Sequence, residues 1–139
     1  MADISYTAIE IRALTENGAR VRPYTAGGTV TIGQCVYIAT DGDVEPADAN
    51  AGTPAEQGIG IAVQSYDGET TITSGNPVSV CVFGPVSGFS GMTPGDVLYV
   101  SNTVGRIADA AGAFTRVIGH AERAGVLWVN PEQSDAASS

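Results

Sequence analysis

Thr31, Gly33 and Tyr37 recur as Thr93, Gly95 and Tyr99, and this internal repeat limits the fold more than any other feature of the sequence. Ala47-Asp48-Ala49 returns as Ala108-Asp109-Ala110, and Ile59-Gly60 with Ala62 returns as Ile118-Gly119 with Ala121. The register drifts by a few residues between matches, as loop insertions produce. Each copy reads as a Gly turn, a buried strand, a second Gly turn, a short apolar step, a loop, and a strand ending in Ile-Gly. Two copies are too few for a solenoid, which needs about three or more stacked units. They suit the two halves of one barrel or sandwich.

The rest of the composition agrees. A chain of 139 residues fits one domain, and at that size about 68–70% of the unfolded surface can be buried without a metal or disulfide. Eighteen Gly and only 15% charged residues argue against a helical bundle and for a turn-rich, all-β fold.

Along the chain, residues 6–14 read as a strand, because Ile9, Ile11 and Ala13 alternate with Glu10 and Arg12. Asn17-Gly18 is a tight-turn signal, so residues 19–24 are expected to pair back on it as a hairpin. Pro23 lacks an amide donor and suits an edge or a strand end. Residues 34–39 form an apolar run (Cys35, Val36, Tyr37, Ile38) expected to be covered on both faces. Residues 46–57 read as a loop, and residues 58–63 as a strand in which Ile59, Ile61 and Val63 alternate with small residues. Further strands are expected at 70–73, from 76 through Val78, Val80 and Val82, and at 97–100, 115–121 and 126–130. Residues 84–91 read as a Gly-rich crossing, and the polar 132–139 tail as disordered. The expected division is 1–24 as an N-terminal hairpin or docking arm, 25–131 as the β-barrel, and 132–139 as tail.

The net charge is −9 and Lys is absent. Such a chain cannot release counterions from a phosphate backbone, so nucleic acid and anionic membrane are not expected partners. Any basic docking surface must be local. Three of the six Arg (Arg12, Arg20 and Arg22) fall within eleven residues. That cluster reads either as a partner-binding face for acidic groups or as a solvated strand face. The N-terminus has no basic region followed by an apolar core, so no signal peptide is expected. No apolar run approaches the roughly 18 residues of a membrane span.

No catalytic residue, cofactor-binding residue or metal ligand set is identified, and the chain is expected not to be an enzyme. His120, the single His, aligns in the repeat with Ile61, an ordinary strand position. A nucleophilic site would need it beside a thiol or hydroxyl and an orienting acid, and no local motif provides one. Cys35 and Cys81 sit in apolar runs and read as buried free thiols; a disulfide between them stays open. Ser87-Gly88-Phe89-Ser90-Gly91 resembles a nucleophile elbow only in composition. Asp41, Asp43 and Glu45 have calcium-loop spacing, but Pro46 and Gly52 stand where such a loop needs Gly and Glu; a weaker site with Asp48 stays open. Trp128, in Leu-Trp-Val, reads as core.

The order of features from Tyr24 to Pro131 resembles the phage capsid decoration, or head cement, proteins. The matching stretches are Val30-Thr-Ile-Gly-Gln-Cys-Val-Tyr-Ile, Gly58-Ile-Gly-Ile-Ala-Val, Gly75-Asn-Pro-Val-Ser-Val, Thr93-Pro-Gly-Asp-Val-Leu-Tyr-Val, and Val117-Ile-Gly-His-Ala-Glu closing on Val126-Leu-Trp-Val-Asn-Pro. The resemblance implies a small β-barrel or β-tulip-like sandwich on the capsid exterior. It further implies the major capsid protein as partner, homotrimers at symmetry axes, an N-terminal arm used in docking, and synthesis in the host cytoplasm. No residue of known binding role transfers one for one. Two other classes fit the residues: a different virion or surface β-module, such as a tail, fibre or carbohydrate-binding domain, and a hydrolase.

Overall fold

The computed structural model describes residues 3–50, 55–65 and 68–131. The chain is all-β. Short strands β1 (Ser5–Tyr6), β2 (Arg12–Ala13), β3 (Arg20–Thr25), β4 (Val30–Thr31), β5 (Cys35–Ile38), β6 (Val44–Pro46), β7 (Gly60–Ser65) and β8 (Thr71–Ile72) lead to one long strand, β9 (Pro77–Ser87). After it come β10 (Phe89–Ser90), β11 (Val97–Val100), β12 (Ile107–Ala108), β13 (Val117–Arg123) and β14 (Val126–Val129). Helical structure among the described residues is two single 3-10 turns, Ala8–Glu10 and Thr15–Asn17.

The repeat holds in three dimensions. In the first half, β5 pairs with β6 and β7, and β7 pairs with β9. In the second, β11 pairs with β12 and β13, and β13 pairs with β14. Both halves thus have one antiparallel plan, with orders β6-β5-β7-β9 and β12-β11-β13-β14. Individual bonds repeat as well. Gly33 N–H donates to the Ala62 carbonyl at 2.7 Å, and Gly95 N–H to Ala121 at 2.8 Å. Ala62 and Ala121 return the favour to Gln34 (2.9 Å) and Asp96 (2.8 Å). Each half has a register irregularity at the matching place, between Ala62 and Gln64 and between Ala121 and Arg123. The recurring Thr-x-Gly builds the entry turn, whose Gly takes φ +101° or +92°, a conformation that L side chains resist.

Strand β9 joins the halves. Its first part lies between β3 and β7, and its last part, from Gly84 to Ser87, pairs with β14. A strand that serves two sheets must bend at the change. The bend falls at Gly84, whose φ is +100° and where a Cβ would stand 2.6 Å from the Ala19 Cα. The expected Gly-rich crossing at 84–91 is therefore a continuation of strand through Ser87. Local punctuation by Gly-Pro was outweighed by pairing on both edges.

The result is a strongly curled, half-barrel sheet. The bridge Ala26–Val44 brings the end of β3 beside β6. Ile61, Leu98, Ile118 and Leu127 are fully buried, each stabilising the fold by about 1.5–3 kcal/mol relative to exposure. The expected two-sided burial of β5 holds at Cys35 and Val36, but Ile38 is 40% exposed.

The N-terminal hairpin does not form. Residues 12–13 and 20–25 do not pair with each other; both run antiparallel to β9, one after the other. The turn at Asn17-Gly18 ends a 3-10 turn and returns the chain to the same neighbour. Upstream, Ile4 and Ile11 are buried. Ile4 N–H donates to the Ile107 carbonyl at 2.9 Å, and Arg106 lies over the Tyr6 ring at 5.1 Å while donating to the Ile4 carbonyl at 3.0 Å. Residues 3–11 are stitched into the body.

Cys35 and Cys81 are free, buried thiols. Burial pushes the Cys35 thiol from 9.0 up to about 12, and raises Cys81 as well. Neither is expected to react with a thiol reagent at pH 8 until urea unfolds the chain, when both should react. An unfolded Cys35 ionises near 9.0 while the folded one keeps its proton to about 12. Stability from this source is complete below pH 9 and is lost as pH rises toward 12, so urea midpoints should fall across that window.

Candidate docking surfaces

Strand β3 exists because it pairs with β9; its other edge carries no strand among the described residues. Five of its six residues are exposed, and Tyr24 is partly buried. Arg20 and Arg22 are both exposed and two apart on this strand, whose register against β9 is irregular between Arg20 and Val21. Among the described residues neither takes part in an ion pair. Pro23 removes one donor from this edge, so an added strand would find an interrupted ladder.

Arg12 is separated from the other two. Its guanidinium donates to the carbonyls of Ile9 and Ile11, both at 3.0 Å, and so braces the 3-10 turn. It lines a cleft of about 540 Å³ with Ile9, Ile11, Val21, Val63 and Glu69. Ile9 is 71% exposed at the rim of this cleft. The expected alternation buried Ile9 and Ile11 together; the 3-10 turn at Ala8–Glu10 breaks the period and leaves only Ile11 inside.

A second surface was not anticipated. Val97, His120 and Trp128 are cross-strand neighbours on β11, β13 and β14. The His120 ring stacks on Trp128 at 6.3 Å and 23°, and Phe83 meets the indole edge-on at 5.5 Å. Val97 and Phe83 are 43% and 37% exposed, His120 is exposed, and Trp128 is half-buried. Trp128 is thus not core, a correction to the reading of Leu-Trp-Val. Leu127 and Val129 face inward, and strand alternation turns the residue between them outward. Arg20, opposite Phe83, and Arg123, beside Trp128 in a small hollow with Leu14 and Pro85, flank this aromatic row.

The remaining chemistry stays dispersed. His120 lies on the outer face, whereas both thiols are in the core. Asp41 Oδ1 accepts from the Asp43 amide at 3.0 Å and Asp48 Oδ1 from Asn50 at 2.8 Å, so these carboxylates shape turns. Among the described residues no group of three His, Cys, Asp or Glu side chains could hold a metal ion. No helix among them is long and apolar enough to cross a membrane. Sequence reasoning also missed a buried ion pair, Arg116 to Glu56 at 3.5 Å, whose members are 60 residues apart. No periodic pattern marks either residue.

No protein-family model matches this chain, and no curated protein matches it.

Proposed function

We propose that this chain is a non-catalytic virion protein that binds the outside of an assembled phage capsid and stabilises it by bridging major capsid protein subunits. The observation that supports this reading best is the exposed strand β3, which presents Arg20 and Arg22 beside an open sheet edge on a chain of net charge −9. On either side of the gap at Pro23 such an edge offers backbone hydrogen bonds to a partner segment, and the arginines offer forked contacts to acidic groups. Binding the assembled lattice in preference to free subunits is what stabilises a shell. Repetition over the shell supplies avidity, so each contact can be modest. The order of Gly-punctuated strands, and the homotrimer that goes with it, belong to the same proposal.

Charge reversal is a better probe here than truncation, because Ile4 and Ile11 are buried and their removal opens the core. The double change Arg20→Glu with Arg22→Glu is expected to leave the melting temperature within a few degrees and to weaken cosedimentation with expanded heads by about tenfold or more. Binding at wild-type strength would remove β3 from the interface.

A second reading has its own observation. Half-buried Trp128, flanked by Phe83 and His120, is a stacking platform of the kind a sugar ring can use. A glycan-array signal lost on Trp128→Ala, with no binding to heads, would make the chain a carbohydrate-binding module instead.

A further inference from the structure

We infer that the outer row Val97, His120 and Trp128 is a contact face for a second copy of this chain, which seats Ile38 and Ile59 against it. The repeat carries this inference, independently of capsid docking. In the first half the matching row is Cys35, Ile61 and Cys81, which are cross-strand neighbours in the same register and fully buried. At the Cys35 end the cover comes from the second half. Around Gly58, a Cβ would stand 2.5 Å from Cys35 Sγ, 3.0 Å from a Val100 methyl and 3.5 Å from the Ile118 methyl, so these three side chains converge there. One half therefore lays its Val100 and Ile118 against the Cys35 end of the other's row.

The second half has the same row, and among the described residues it is left largely open, with Phe83 edge-on at its Trp128 end. Val97 is 43% exposed where Cys35 is 0%, and His120 and Trp128 stand in the places of Ile61 and Cys81. The alignment that matches Tyr37 with Tyr99 matches Val100 with Ile38; the one that matches Gly60 with Gly119 matches Ile118 with Ile59. Ile38 is 40% exposed and Ile59 is partly buried. Each molecule thus exposes one apolar residue on each side of a contact it already makes internally, Ile38 on the first half and Val97 on the second, with Ile59 partly accessible beside Ile38. A neighbour's Ile38 and Ile59 meeting this molecule's row continues that interface between chains. The two sides differ, so the contact is head-to-tail and either closes into a ring or extends. Trp128 and Phe83 provide the aromatic anchor that such interfaces favour.

Light scattering after size exclusion tests this on the full chain. The wild type is expected to show a mass that rises with concentration to a multiple of 14.1 kDa. Val97→Glu and Ile38→Glu, on opposite faces, should each weaken association by about tenfold or more, because a charge is buried against apolar groups. Each variant alone keeps one intact face, so an equimolar mixture should recover a heterodimer and stop there. Both positions are exposed, and unchanged circular dichroism checks that the variants fold; Val97→Ser and Ile38→Ser serve if either glutamate melts early. A wild type monomeric at every concentration overturns the inference. So does an Ile38→Glu variant that associates normally, or a mixture that stays monomeric. Loss of capsid or sugar binding in Val97→Glu, with the mass unaffected by Ile38→Glu, assigns the row to another occupant and also overturns it. The single change Arg22→Glu, which pairs opposite Val80 and away from Phe83, should weaken head binding while the chain associates as the wild type does, which separates this face from the one proposed for the capsid.

Discussion

Gly119→Val is expected to leave the chain unfolded or nearly so at 37 °C. A Cβ on Gly119 would stand 1.9 Å from the Trp128 carbonyl oxygen, with the Asn130 amide nitrogen at 3.2 Å. Both belong to the neighbouring strand, so no flexible side chain can yield. The β13–β14 ladder would have to part at its Gly119–Val129 pair, where the second half is held to β14 and through it to β9. We expect a loss of more than about 4 kcal/mol, a large share of the roughly 5–15 kcal/mol that holds a domain of this size. Gly60→Val should act alike, since a Cβ there would lie 2.0 Å from the Cys81 carbonyl oxygen on β9. The repeat thus uses glycine at one place in both halves for one reason, close approach of a neighbouring backbone. Gly28→Ala is the control: its nearest neighbour is the Glu45 side chain at 3.6 Å, and the change should cost less than about 1 kcal/mol. Urea unfolding followed by the fluorescence of Trp128 measures all three. A Gly119→Val midpoint close to wild type would mean that the strands are not packed as described.

Removing one partner of the buried ion pair should have an effect of similar size. Arg116 and Glu56 are both almost wholly buried, at 3% and 1% side-chain exposure, and their charged atoms approach to 3.5 Å. Glu56→Ala removes the carboxylate 3.5 Å from a guanidinium in the core, and we expect a loss of about 3–5 kcal/mol. Arg116→Met should cost nearly as much for the mirror reason. The double change Glu56→Leu with Arg116→Met is expected to recover most of that loss, because an apolar pair of similar volume has no charge to desolvate. A thermodynamic cycle over the three variants gives the coupling directly. If the double variant is as unstable as the sum of the singles, the two side chains act separately and the pair is not what holds the Glu56 loop to the start of β13.

Residue by residue, legibility followed the range of the interaction. Thr31-x-Gly33 and Thr93-x-Gly95 could be read as turns because positive φ is a property of one residue and its neighbours. The free, buried state of Cys35 and Cys81 followed from the apolar runs around them. The hairpin at Asn17-Gly18 failed although a turn is there, since both sides of it pair instead with β9, far along the chain (Arg12 with Ser87, Thr25 with Pro77). Trp128 was misplaced for a related reason. Leu127, Trp128 and Val129 are apolar on both faces of β14, and alternation alone does not say which face is covered. Ile9 was lost to a 3-10 turn braced by Arg12, which breaks the period of two. Arg116 carried no signal, because its partner comes from the other half.

Sequence by itself determined that this protein is all-β, that it is built twice over from one strand plan, and where its turns fall. Each of these rests on backbone angles and side-chain alternation within a few residues. Tertiary structure decided which strands share an edge, that β9 bends at Gly84 to serve both halves, and which of two matching rows is buried and which faces out. Those outcomes depend on what packs from far along the chain, and desolvation, unlike a turn, is a property of the assembled neighbourhood.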